Sequence, residues 1–122
     1  MKIDGVAKKY NLSTATLRYY ERNGLLGPIK RVNGIRYFEE SDLQRIEFIL
    51  CVKECGMTLG QIRHFIEMFQ KGDQTLTERL TVLENQLAQS KQKMQQLRQS
   101  MQHLEGKIDD VKLLIDENVY VK

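Results

Sequence analysis

The sequence predicts a mainly α-helical fold: a winged helix-turn-helix head with a β-hairpin wing, followed by one long coiled-coil helix. Three observations carry this. Two short amphipathic stretches meet at a tight Asn11-Leu12-Ser13 turn, which suits a helix-turn-helix. An Asn33-Gly34 pair between two short extended runs is a strong two-residue hairpin signal. From Leu76 to Ile115, leucines and methionines recur at heptad spacing. The 122 residues suffice for one small core. The expected divisions are a DNA-binding head over 1–72, a dimerisation helix over 73–117 and a tail over 118–122.

In chain order, Ile3, Val6, Ala7 and Tyr10 share one face of a first short helix. Ser13 caps a second, because its side-chain oxygen can accept from a free N–H of the first turn. On that second helix Leu17 and Tyr20 turn inward, with Tyr19 open to either side, while Thr14, Arg18 and Arg22 share the outward face. Gly24 tolerates the left-handed backbone that ends a helix. A second helix so exposed is suited to a DNA major groove.

After Pro28, the one proline, the runs Ile29–Val32 and Ile35–Phe38 flank the turn and form a wing. Arg31 and Arg36 fall on its two strands, within reach of a phosphate or a minor-groove edge. Of Tyr37 and Phe38, at least one is expected only to pack the wing against the helices. Ser41 is expected to cap a third helix, with Asp42 in its first turn and Leu43, Ile46, Ile49, Leu50 and Val52 along it to Gly56. Thr58 caps a fourth, whose inward stripe is Ile62, Phe65, Ile66 and Phe69 and which ends at Lys71-Gly72. Arg63 and Lys71 are the expected phosphate contacts on it.

The seam then runs Leu76, Leu80, Leu83, Leu87, Met94, Leu97, Met101, Leu104, Ile108, Val111 and Ile115, in steps of 4 and 3 apart from one seven-residue step across Ser90. A helix of this length is a rod of about 60 Å. It cannot bury such a stripe alone, and its simplest partner is a second copy. Heptads alone leave parallel and antiparallel pairing open. Gly106 costs ~1 kcal/mol relative to Ala in a helix interior, and it or Ser90 marks a place where the helix bends or stops.

The net charge of +3 hides an asymmetry: residues 1–38 hold eight basic against two acidic side chains, a net of +6, leaving −3 for the remainder. Basic charge gathered beside Tyr19, Tyr20, Tyr37 and Phe38 is what phosphate neutralisation requires. No 18-residue apolar run exists, and MKIDGVAKKY lacks the apolar core of a signal peptide, so no membrane partner and a cytoplasmic location are expected. Two cysteines four apart do not make a disulfide framework. His64 and His103 stand far apart and the stretch 72–80 has neither Cys nor His, so no metal and no cofactor is expected. No catalytic constellation is visible: a thiol enzyme built on Cys51 would lack a base.

The stretches TATLRYYERNGLLGP, NGIRYF and EESDLQRIEFI, in that order, closely resemble the MerR family of bacterial transcription regulators. The resemblance covers roughly Ile3 to Phe69, with one departure: Ile35 stands where the family usually has an aromatic. It implies antiparallel dimer helices meeting through Leu76, Leu80, Leu83, Leu87, Met94, Leu97, Met101, Leu104 and Ile108. It implies DNA contacts from Thr14, Thr16, Arg18, Tyr19 and Arg22 of the recognition helix, from Arg36 and Tyr37 of the wing, and from Arg63. It further implies a homodimer on a palindromic promoter whose spacer is too long for RNA polymerase, an indirect partner, and which the dimer bends and untwists. No effector domain is expected beyond the long helix.

FILCVKECGMTL resembles the small aldehyde- and electrophile-responsive members, which keep a Cys at the place of Cys51, so Cys51 is the candidate sensor thiol. The ordinary role of Cys51 and Cys55 is as small core hydrophobes, and a disulfide within the helix is disfavoured by geometry. The rival to a regulator is an architectural or chromosome-anchoring protein whose coiled coil recruits another protein and whose heads bind many low-specificity sites.

Overall fold

The computed structural model describes the backbone of residues 1–121 and the side chains through residue 118. Helix α1 (Ile3–Tyr10) ends at Asn11, whose φ of 54° is left-handed, and α2 (Thr14–Arg22) begins one short turn later. Ser13 caps α2 as its chemistry dictates: its Oγ accepts the Thr16 N–H at 3.0 Å. Beyond α2, Gly24 takes φ 75°, and the N–H groups of Leu25 and Leu26 both reach the Tyr20 carbonyl, which turns the chain back under the helix.

The wing is a hairpin of β1 (Arg31–Val32) and β2 (Ile35–Arg36), antiparallel, with Arg31 opposite Arg36 and Val32 opposite Ile35. Asn33 and Gly34 have φ of 52° and 80°, and two consecutive positive φ values belong to a type I′ turn, whose twist matches that of the strands. The regular ladder is shorter than the four-residue runs expected. Just past β2 the chain pairs with the N-terminus instead: Lys2 bridges Tyr37, and the Phe38 N–H donates to the Met1 carbonyl at 2.7 Å.

Helix α3 (Glu40–Glu54) starts earlier than expected. Its cap is Glu39, not Ser41, because the acceptor for the free Glu39 N–H is the Asp42 carboxylate at 2.8 Å; Ser41 lies exposed in the first turn. Helix α4 (Leu59–Gln70) opens on a reciprocal pair, Thr58 Oγ1 accepting from Gln61 N–H at 3.2 Å and Gln61 Oε1 from Thr58 N–H at 2.9 Å. Its inward stripe is Ile62, Phe65, Ile66 and Met68. Phe69, assigned to that stripe by spacing, is 52% exposed. Gly72, at φ 93°, then lets the chain enter a 3-10 turn (Asp73–Thr75), where the buried Thr75 hydroxyl donates to the Met68 carbonyl at 2.7 Å.

Helix α5 (Leu76–Val121) is 46 residues long. It stops at neither Ser90 nor Gly106, since the cost of one glycine is small against a surrounding run of Gln, Lys, Leu, Met and Glu, all good helix formers. The backbone of residues 118–121, expected as tail, continues the helix; Lys122 lies outside the described residues. By its internal contacts the chain divides into units 1–86 and 87–122, so the first turns of α5 belong with the head, beyond the boundary expected at 72. They are held there by Val82, which packs on the core, and by Gln86, whose Nε2 donates to the Cys55 carbonyl. That core joins Val6 of α1, Leu17 and Tyr20 of α2, Leu25, Phe38, Ile46 and Ile49 of α3, and Ile62 and Ile66 of α4. No helix among the described residues is long and apolar enough to cross a membrane.

Candidate nucleic-acid interface

The register of α2 decides what faces outward. Leu17 and Tyr20, each 1% exposed, anchor one side in the core, which leaves Arg18, Tyr19 and Arg22 on the other. Tyr19, left open by the sequence, is exposed, and the Arg22 guanidinium stands 5.9 Å from its ring centroid. Arg18 Nη1 lies 3.5 Å from Thr14 Oγ1, one turn back. Thr14 and Thr16 are half-buried, and Thr16 is engaged in the cap, its hydroxyl 2.8 Å from Ser13 Oγ. The N-terminal threonines therefore begin the helix, and the long cationic and aromatic side chains extend from it.

The wing stands beside this face through a contact that spacing does not reveal. Glu21, on α2, accepts the Arg36 Nε–H of β2 at 2.8 Å with one oxygen and the Ile29 N–H at 2.7 Å with the other. Both charged side chains are about four-fifths covered, which makes this pair stronger than a surface one. Burial alone would raise the Glu21 pKa; the Ile29 N–H, Arg36 and the nearby Arg31 outweigh it and hold the carboxyl below its ordinary value. Arg36, predicted as a DNA contact, is thus also the strut between wing and helix. Tyr37 is 44% exposed, whereas Phe38 is buried in the core, so it is Phe38 that packs the wing. Arg31 is exposed on the opposite strand.

Arg63 of α4 is half-buried, and with Arg22, Gly24 and Gln70 it lines a groove at the C-terminal end of α2. Its Nε is buried with no hydrogen-bond partner, and two carboxylates, Glu21 and Glu67, line the same groove. Lys71 is exposed. On the far side Tyr10 ties α1 to α3, donating to Glu47 Oε1 at 2.8 Å; burial, then this bond and the nearby carboxylates, push its pKa up to about 12.

The side chains of Cys51 and Cys55 are both exposed, which overturns their expected role as core hydrophobes. The reason is angular. The buried stripe of α3 is Leu43, Ile46, Ile49 and Val52, and positions 51 and 55 lie off it. The seam residues of α5 are open as well, from 37% exposed at Leu83 to 62% at Leu97.

Three comparisons bear on this arrangement. The family model described as MerR HTH family regulatory protein matches residues 1–68, and the one described as MerR, DNA binding matches 43–107. The HTH-type transcriptional regulator AdhR of Bacillus subtilis (strain 168) is 41% identical over 87 residues, 70% of this chain and 62% of AdhR, so the match spans about three-fifths of that relative. YyaN, an uncharacterized HTH-type transcriptional regulator of the same organism, is 32% identical over 96% of this chain and 94% of its own. Among solved structures, HiNmlR, a MerR family regulator lacking the sensor domain and bound to promoter DNA, superposes with a TM-score of 0.81 at 36% identity, covering 88% of this chain and 86% of that one.

Proposed function

The chain belongs to the MerR family of helix-turn-helix regulators, and from that premise we propose that it is a dimeric, non-enzymatic transcription regulator of the cytoplasm. On this reading it binds a two-fold symmetric promoter element and distorts it. The observation that carries this is the outward face of α2. Arg18, Tyr19 and Arg22 stand clear of the core beside a wing that Glu21 and Arg36 fix to the same helix.

Arg18 is the base-reading residue, since a guanidinium can donate two parallel bonds to the O6/N7 edge of guanine. Tyr19, Arg22, Tyr37 and Arg63 contact the backbone, with Thr14 and Thr16 at the helix start and Arg36 supplying what its bond to Glu21 leaves free. The exposed seam of α5 takes a second copy, antiparallel, so that two heads meet two half-sites. The promoter spacer is too long for RNA polymerase until the dimer bends and untwists the DNA. Such distortion costs of order 1–6 kcal/mol, within reach of a modest signal.

The signal enters at Cys51, whose thiol is open to solvent and carries no disulfide. Addition of the Cys51 thiol to an aldehyde carbonyl is the triggering step: the S–C bond forms as S–H breaks, and the proton passes to the carbonyl oxygen. The test is run-off transcription with purified protein, wild type against Cys51→Ser, with and without an aldehyde. Activation confined to the wild type supports the thiol signal. DNA binding with no response in either protein removes it, and no specific DNA binding by the wild type removes the regulator reading itself.

A further inference from the structure

The head carries a cleft that the DNA-reading face does not use. It lies between α3, α4 and the first turns of α5 and holds about 400 Å³, within the range of small-ligand sites. Its apolar floor is Phe48 stacked on Phe65, with ring centroids 4.9 Å apart and planes 27° apart, continued by Ile66. Its rim carries two cations, Arg45 of α3 and Arg79 of α5. Their guanidinium carbons stand 5.3 and 5.1 Å from the ring centroid of one shared residue, Phe69.

Phe69 is the residue that helical spacing assigns to the core and that the fold leaves half open. Arg79 is aimed, not adrift: its Nε donates to Thr75 Oγ1 at 3.1 Å, and its Nη2 lies 3.4 Å from the Gly72 carbonyl. Burial lowers the pKa of Arg45, a shift opposed by Asp42. Among the described residues no carboxylate lies within ion-pair distance of either guanidinium. Two like charges at one apolar mouth, with Asp42 acting on Arg45 only from beyond ion-pair distance, favour an anion between them. The phenylalanine floor selects among anions. Inorganic phosphate or a nucleic-acid phosphate has nothing to lay on it, whereas an organic acid does.

We propose that this cleft binds a small organic carboxylate, its apolar body on Phe48, Phe65 and Ile66 and its carboxylate accepting from Arg45 and Arg79. Such a ligand bridges α3 to the start of α5 and so stiffens the point at which the long helix leaves the head. Any consequence for promoter distortion rests on the function proposed above; binding itself does not.

The experiment is calorimetric titration of the full chain with 1-naphthoate and with its neutral counterpart 1-naphthamide, using wild type, Arg45→Gln and Arg79→Gln, each checked for native helix content. Expected is saturable binding of naphthoate at one site per chain, weakened at least about tenfold by either substitution and in the amide. Equal binding of acid and amide overturns the proposal, as does undiminished binding by both variants or no saturable binding by the wild type. Sedimentation of the same variants covers the remaining occupant. If Arg45→Gln and Arg79→Gln dissociate a dimer without affecting naphthoate, the cleft belongs to a second copy and the proposal fails. DNA binding, measured separately, fails or holds independently of these titrations.

Discussion

Glu21 is an acid in the most basic part of the chain, and its two bonds hold the wing to the recognition helix. Because its folded pKa lies below the ordinary value, the stability it contributes is present above the carboxyl's unfolded pKa and is lost as pH falls through the folded one. The thermal midpoint of the wild type should therefore fall more steeply in the acid range than that of Glu21→Gln, and parallel acid limbs would remove the carboxylate from this role. Arg18→Ala should weaken specific DNA binding by about 1–3 kcal/mol while leaving the melting temperature within a degree or two, as read by anisotropy and calorimetry. At this scale the sequence was legible where one helix's periodicity decides, as for Arg18 and Arg22 against Leu17 and Tyr20. It was not legible where two elements meet. Glu21 and Arg36 are fifteen residues apart and find each other only because the hairpin returns to α2. The exposure of Cys51 depends on which stripe of α3 the other helices cover.

Caps and turns govern the elements. Ser13→Ala removes the Oγ acceptor for Thr16 N–H and should cost about 1 kcal/mol of unfolding free energy. Gly34 has φ 80° with open space where a Cβ would go, so Gly34→Val is disfavoured by backbone conformation and not by crowding. It should destabilise the wing and weaken DNA binding more than it lowers the global melting temperature; an unchanged affinity would separate the wing from DNA recognition. Ser13, Thr58 and Asn33-Gly34 announce their structures because each acts through neighbours two or three residues away. Glu39, an uncommon cap beside the conventional Ser41, is recognised only once Asp42 is seen bonded back to it. Phe69 illustrates the other failure: helical spacing gives the angle of a side chain but not how far the covering layer extends, and here that layer ends at a cleft.

At the scale of the molecule, the open seam of α5 is the feature that demands a partner. Each buried leucine or methionine stabilises association by roughly 1.5–3 kcal/mol, so a seam of this length supports a tight pair. A charge in its middle should undo it. Leu97→Glu with Met101→Glu should sediment as a monomer at concentrations where the wild type is a dimer, and should lose most of its affinity for a two-fold site while each head keeps its fold. The heptads were fully legible, because they ask nothing of the head. The length of uninterrupted helix was not, since one glycine among strong helix formers reads as a possible stop and proves too weak to be one.

The central claim, that two heads joined through α5 read a symmetric site, is tested most directly by selecting binding sites from random duplex DNA with the purified chain and footprinting the winners. The account predicts an inverted repeat with two protected half-sites on one face of the duplex, spaced by a helical turn or a multiple of it, and no such enrichment by the Leu97→Glu, Met101→Glu variant. Enrichment of a single unpaired half-site, or of no shared sequence at all, would contradict it.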